Sequence, residues 1–249
     1  LEVVRRPLAG SDFPAFLSPT SLFLSQWGGI LREEVSIMQD NAFDFDPTCG
    51  MGESELLAMT APESEPGDFR NFWEQTFREA SSVPLDITVS RLWSPCPDTE
   101  IFEVGYTSLD GVRVGGWVIR PRKSAGGVVF GHGYGSNVFF MMDWARCGFT
   151  TICFCARGMG LSTHESIPWA VGEHVVWNIH DRWKYVLRGC VADLWRAADA
   201  LTELYPDTAG NLNYDGSSFG GGLGALALPW HGGFRTAHFG VPTFGHHES

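Results

Sequence analysis

Between residues 69 and 80 apolar positions recur at steps of three and four. Phe69, Phe72, Trp73, Phe77 and Ala80 fall on one side of a 3.6-residue period, which predicts an amphipathic helix over 69–80. Asp68 stands where a carboxylate accepts from first-turn amides, and Pro84 ends the pattern. The period then drops to two. Residues 87–89 read as a strand, and 101–121 as a hairpin of two alternating runs around Asp110-Gly111, a dipeptide suited to the positive φ of a tight turn. Two continuous apolar runs follow, 127–130 and 149–156, as expected of parallel strands buried on both faces. A helix is expected around 137–147 between them. Residues 157–180 read as a Gly-rich turn and polar loop. From 181 to 205 the helical period returns, with Trp183, Val186, Leu187, Cys190, Val191, Leu194, Trp195, Ala198 and Leu201 on its stripe. Residues 211–215 lead into a Gly-rich turn, 223–228 read as a helix and 235–241 as a last strand.

An antiparallel hairpin followed by alternating strands and helices predicts α/β architecture. The expected core is a mostly parallel central sheet covered on both faces. Residues 1–45 show no sustained period and read as a poorly defined N-terminal extension. The α/β domain is expected over 46–249.

Composition narrows the partners. The 249-residue chain is 44% apolar, enough for a sizeable core. Its net charge of -12 argues against nucleic acid, which is held by cationic contacts to phosphate, and against an anionic membrane surface. A neutral substrate fits better. No apolar run reaches the roughly 20 residues of a membrane span. No secretory signal pattern is visible, although a chain beginning at Leu1 leaves the native start open. Six cysteines, at 49, 96, 147, 153, 155 and 190, form no C-x-x-C pair. They read as reduced thiols, with neither zinc nor disulfides expected, and favour the cytoplasm.

Three motifs carry candidate chemistry. The first is G-x-S-x-G, Gly216-Ser217-Ser218-Phe219-Gly220, between a strand and a small-residue helix. In a nucleophile elbow the central serine sits on a strained strand-to-helix turn, and small neighbours let strand and helix touch. Gly216, Gly220, Gly221 and Gly222 supply that room, which selects Ser218 over Ser217. The plainer reading is a Gly-rich helix entry or a phosphate-cradling loop. The second motif is Gly131-His132-Gly133-Tyr134-Gly135 at the end of a buried strand. The amides of Tyr134 and Phe219 are the expected oxyanion-hole donors, and His132 is expected to prop the loop. The third, Arg157-Gly158-Met159-Gly160, reads as scaffolding, with Arg157 paired to a carboxylate.

Taken in order, several segments resemble the acetyl xylan esterase and cephalosporin C deacetylase family, carbohydrate esterase family 7. They are PGDFRNFWEQTFREASSVPLD, DGVRVGGWVIRP, VVFGHGYG, RGMG, YVLRGCVADLWRAADAL and YDGSSFGGGLGALAL. The resemblance runs from about Phe45 to the C-terminus. It implies an α/β-hydrolase fold and a serine carboxylesterase that deacetylates xylo-oligosaccharides or similar small esters. It implies Ser218 as nucleophile, Tyr134 and Phe219 at the oxyanion hole, no cofactor, and homo-oligomers, commonly hexameric. Three positions depart from the family's pattern. Phe219 stands where Gln is usual, Cys155 where Asp is, and Met159 where Gln is.

An elbow serine needs a base, and the base needs a carboxylate. In α/β-hydrolases both follow the serine, acid before histidine. Here only His231, His238, His246, His247 and Glu248 lie downstream as obvious candidates. His238 reads as an ordinary strand residue, and Glu248 follows the terminal pair. The expectation is a C-terminally truncated chain whose catalytic Asp and His are absent. The rival readings are a catalytically incomplete fragment or degraded homologue, or another α/β-hydrolase such as a dienelactone hydrolase-like enzyme or a peptidase.

Overall fold

The computed structural model describes residues 46, 48, 50–60, 65–135 and 141–243. Expectations for residues 1–45, Cys49, residues 137–140, His246, His247 and Glu248 lie outside the described residues. Residues from 65 onward belong to one compact unit and residues 8–64 to another. In the latter, α1 (Glu53–Ala58) buries none of its side chains, and its Glu55 carboxylate accepts from the Gly52 amide at 2.8 Å.

The larger unit is built on a mixed sheet. Its strands are β1 (Thr88–Leu92), β2 (Thr99–Thr107), β3 (Arg113–Pro121), β4 (Gly127–Gly131), β5 (Thr150–Phe154), β6 (Leu212–Ser217) and β7 (Phe234–Gly240). Their order is β1-β2-β3-β5-β4-β6-β7. The three pairings from β1 to β5 are antiparallel, and the three joining β5, β4, β6 and β7 are parallel. The antiparallel part is thus as large as the parallel part. The β2–β3 turn places Asp110 at φ 63° and Gly111 at φ 74°, the conformation for which that dipeptide is suited.

Helices cover both faces. One face carries α2 (Phe69–Ser82), α5 (Val186–Leu204) and α6 (Phe219–Ala227), packed on Val104, Val118, Val129, Ile152 and Tyr214. The other face carries the four-residue α3 (Asp143–Arg146), where Ala145 packs with Ile101, Ile119 and Cys153. Successive strand residues such as Ile152 and Cys153 part to opposite faces, as the two-residue period requires.

Four local expectations shift. Asp68 sits at the start of α2 without capping it, and pairs instead with Arg182 at 2.7 Å. The long helix begins at Val186, so Trp183 precedes it and packs its ring 4.9 Å from Phe72. Fifteen of the nineteen α5 residues are buried, because α5 is covered by α2 as well as by the sheet. The loop at 157–180 also contains a helical turn, α4 (Val171–His174).

Candidate active site

The parallel strands fix where a ligand meets the sheet. From β4 the chain first moves to β5 on one side, then crosses back to β6 on the other. Open α/β sheets bind ligands at the carboxyl ends of strands flanking such a reversal. The ends concerned carry Gly131–Tyr134 after β4, Cys155–Arg157 after β5 and Ser217–Ser218 after β6. All three sequence motifs therefore meet on one edge.

Ser218 joins β6 to α6 with φ 52° and ψ −118°. A positive φ on a residue with a side chain costs on the order of 1–3 kcal/mol, and is held only where the surroundings over-determine it. Here they do. The Ser218 amide donates to Gly240 O at 2.8 Å, and its carbonyl accepts from Gly222 at 3.0 Å and Thr243 at 3.1 Å. A Cβ on Gly220 would lie 2.3 Å from Gly131 O, so the end of β4 and the first turn of α6 touch backbone to backbone. That contact draws the 131–134 loop against the helix start. Ser218 is half-buried, and Ser217 is exposed.

The loop is braced by neutral imidazoles. The Ala156 amide donates to His132 Nε2 at 3.0 Å, so the ring proton sits on Nδ1 and reaches Gly133 O at 2.8 Å. Burial pulls the His132 pKa down, against the Gly133 carbonyl, which favours the charged ring. Its acceptor nitrogen is already engaged, so His132 props the loop rather than serving as a base. Tyr134 donates its hydroxyl to His174 Nδ1 at 2.5 Å, and His174 Nε2–H donates to Arg157 O at 2.9 Å. Burial lowers the His174 pKa and raises that of Tyr134. Phe219 is fully buried, its ring 4.3 Å from Tyr134 and 5.7 Å from His132. An aromatic residue following the serine therefore has a ready-made apolar seat.

Arg157 anchors the third loop. Its guanidinium donates to Asp193 at 2.8 Å and to Leu109 O at 3.2 Å, and its amide donates to Asp193 at 2.9 Å. Burial opposes the charge of Arg157, but the Asp193 carboxylate outweighs it and the pKa is raised. Tyr134, His174, Arg157 and Asp193 thus form one polar chain from the loop after β4 to the middle of α5.

One pair escaped the sequence reading. His238 Nδ1 lies 2.8 Å from Asp215 Oδ1, and the other carboxylate oxygen accepts from the Trp144 indole at 2.8 Å. Asp215 and His238 are cross-strand neighbours on β6 and β7, on the face of α3. The available signal was a carboxylate in a strand leading into the elbow, which must be paired when buried. Searching only downstream of Ser218 passed over it. Among the described residues, no imidazole is hydrogen-bonded to the Ser218 hydroxyl.

No helix among the described residues is long and apolar enough to cross a membrane. The structure is similar to an acetyl xylan esterase from Paenibacillus sp. R4 at 24% identity and a TM-score of 0.68, covering 75% of this chain and 63% of that one. It is also similar to acetyl xylan esterase 1 from Thermoanaerobacterium sp. JW/SL YS485 at 21% identity and a TM-score of 0.64, covering 73% and 60%. The matched part thus spans somewhat under two thirds of each of these structures. A methylesterase, BT1017, matches at 15% identity and a TM-score of 0.51, covering 65% of this chain and 36% of that one. These likenesses identify an α/β-hydrolase fold. Residues 49–231, most of the chain, match the family model for acetyl xylan esterase, and the chain belongs to that family.

Proposed function

We propose that the protein is a serine carboxylesterase that removes acetyl groups from acetylated xylo-oligosaccharides or similar small acetyl esters, the latter including cephalosporin-type acetates. The observation that carries this reading is Ser218 at φ 52° on the β6–α6 junction, in a chain of the acetyl xylan esterase family. Ser218 Oγ attacks the acetyl carbonyl as a base takes its proton. The amides of Tyr134 and Phe219 receive the oxyanion. A donor of this kind contributes about 3 kcal/mol to the transition state. The sugar alkoxide leaves as the protonated alcohol, and water then attacks the acetyl-serine and releases acetate. Acyl transfer through a serine ester changes no oxidation state, so it requires no redox group.

The N-terminus of α6 supports the oxyanion electrostatically, because its free amides carry partial positive charge. The five described cysteines are all unpaired thiols, which supports a reducing compartment and hence the cytoplasm. Homo-oligomeric assembly follows from the family resemblance, and its check is the solution mass by light scattering.

The test compares Ser218→Ala with Ser217→Ala. Hydrolysis of p-nitrophenyl acetate and acetate release from acetylated xylan are followed, and a fluorophosphonate probe is mapped by mass spectrometry. The expected outcome is a label on Ser218 and a loss of about 10⁴-fold or more in Ser218→Ala. Ser217→Ala should stay close to the parent. Turnover that survives Ser218→Ala overturns the proposal, and a 249-residue chain with no Ser218-dependent turnover overturns the claim that this chain is itself active.

A further inference from the structure

The sheet edge opposite Ser218 carries a second concave surface. β3 runs against β5, with Gly116 facing Phe154 and Ile119 facing Thr151. The carboxyl end of β3 therefore lies at the amino edge of the parallel strands. A groove of about 680 Å³ opens there, between the β1–β2 connection and the end of β3. This falls within the roughly 300–1,000 Å³ of small-molecule sites. Its lining includes Arg91, Trp93, Asp98, Glu100, Arg120 and Arg122.

Two properties of this lining select a ligand. First, every arginine is matched by a carboxylate. Arg91 meets Glu100 at 2.8 Å, Arg122 meets Asp98 at 3.1 Å and Arg120 meets Asp207 at 2.9 Å. The matched charges leave little field to attract an ion. Each pair instead sets N–H donors beside carboxylate acceptors, the pattern that adjacent sugar hydroxyls satisfy by donating and accepting together. Arg120 is held in place by Thr150 Oγ1 at 2.6 Å and by the Tyr205 ring, 4.8 Å from its guanidinium carbon. The Arg91–Glu100 and Arg122–Asp98 pairs are exposed, so each contributes only about 0–1 kcal/mol to stability. Second, Trp93 is 83% exposed in this polar setting. An indole face against water is a platform for the C–H face of a pyranose ring, and Trp ranks among the commonest binding anchors.

We propose that this groove binds a neutral pyranose oligomer, and that the oligomer is a fragment of xylan. The choice of xylan rests on the esterase reading above; the groove's preference for neutral sugar rests on its own residues.

Affinity electrophoresis tests this with soluble arabinoxylan stripped of acetyl groups, in parallel with hydroxyethylcellulose and a gel without polysaccharide. Xylan should retard the parent and Ser218→Ala equally. Trp93→Ala should bind at least about tenfold more weakly, and Arg122→Ala should fall between. Both replaced side chains are exposed, so circular dichroism should be unchanged and p-nitrophenyl acetate turnover should match the parent. Absence of retardation, retardation unaffected by Trp93→Ala, or retardation lost in Ser218→Ala overturns the groove. Equal retardation by hydroxyethylcellulose overturns xylan as its ligand. Intact binding without turnover would count against the esterase reading alone, and intact turnover without binding against the groove alone.

Discussion

His132 and His174 are buried, neutral and tied at both ring nitrogens to groups beside the proposed oxyanion hole. Burial holds both below the ordinary histidine value of 6.5. As pH falls through that value, the unfolded chain takes up protons that the folded chain refuses. Stability from these two residues is therefore complete above about pH 6.5 and drains away below it. The urea midpoint should drop between about pH 7.5 and pH 5.5, ahead of most carboxylate titration. His132→Gln should lessen that drop. A midpoint constant across this window would show that the imidazoles are not held neutral. Both residues were visible in the sequence, but only His132 was assigned a role there, because it sits inside a recognisable motif. His174 lies in a polar loop, and forty residues separate it from Tyr134.

At the scale of elements, the site depends on two close couplings between segments. Asp193 on α5 holds the Arg157 loop through a bidentate pair that is buried on both sides. Asp193→Ala would leave a guanidinium without its partner in the core, a loss of roughly 3–5 kcal/mol in urea unfolding. A loss below about 1 kcal/mol would mean that water reaches Arg157. The second coupling is the backbone contact of β4 with α6. Gly220→Ala places a methyl 2.3 Å from Gly131 O, and neither neighbour is a flexible side chain that can yield. Overpacking of this kind costs roughly 1–3 kcal/mol, and it should separate the Tyr134 and Phe219 amides. Lower stability together with lost ester hydrolysis is expected; an active, fully stable Gly220→Ala would contradict the contact. The repeated glycines after Ser218 made this contact legible in the sequence. The Arg157–Asp193 pairing was legible only by half, since nothing in the chain marks which of many carboxylates Arg157 meets.

Over the whole molecule, order should fall away from β4. That strand lies inside the sheet, bonded to β5 and β6, while four of the five β1 residues are exposed on the outermost strand. Hydrogen exchange should be slowest in β4, β5 and β6 and fastest in β1, because edge amides open without unfolding the core. Equal protection of β1 and β4 would refute this gradient. The alternation of apolar runs determined the strands, the helices and the α/β class by itself, because burial imposes a period of two or 3.6 on any chain that forms these elements. Local glycine chemistry likewise determined the elbow at Ser218, since only small residues let strand and helix touch. Tertiary structure decided the rest. It put three motifs on one edge, paired Asp215 with His238 and Tyr134 with His174, and gathered Trp93 with three arginines at the opposite edge. The partners in the two pairs lie 23 and 40 residues apart along the chain. Most such pairings leave no periodic trace, because they are made by strand order and crossover rather than by the sequence around either partner.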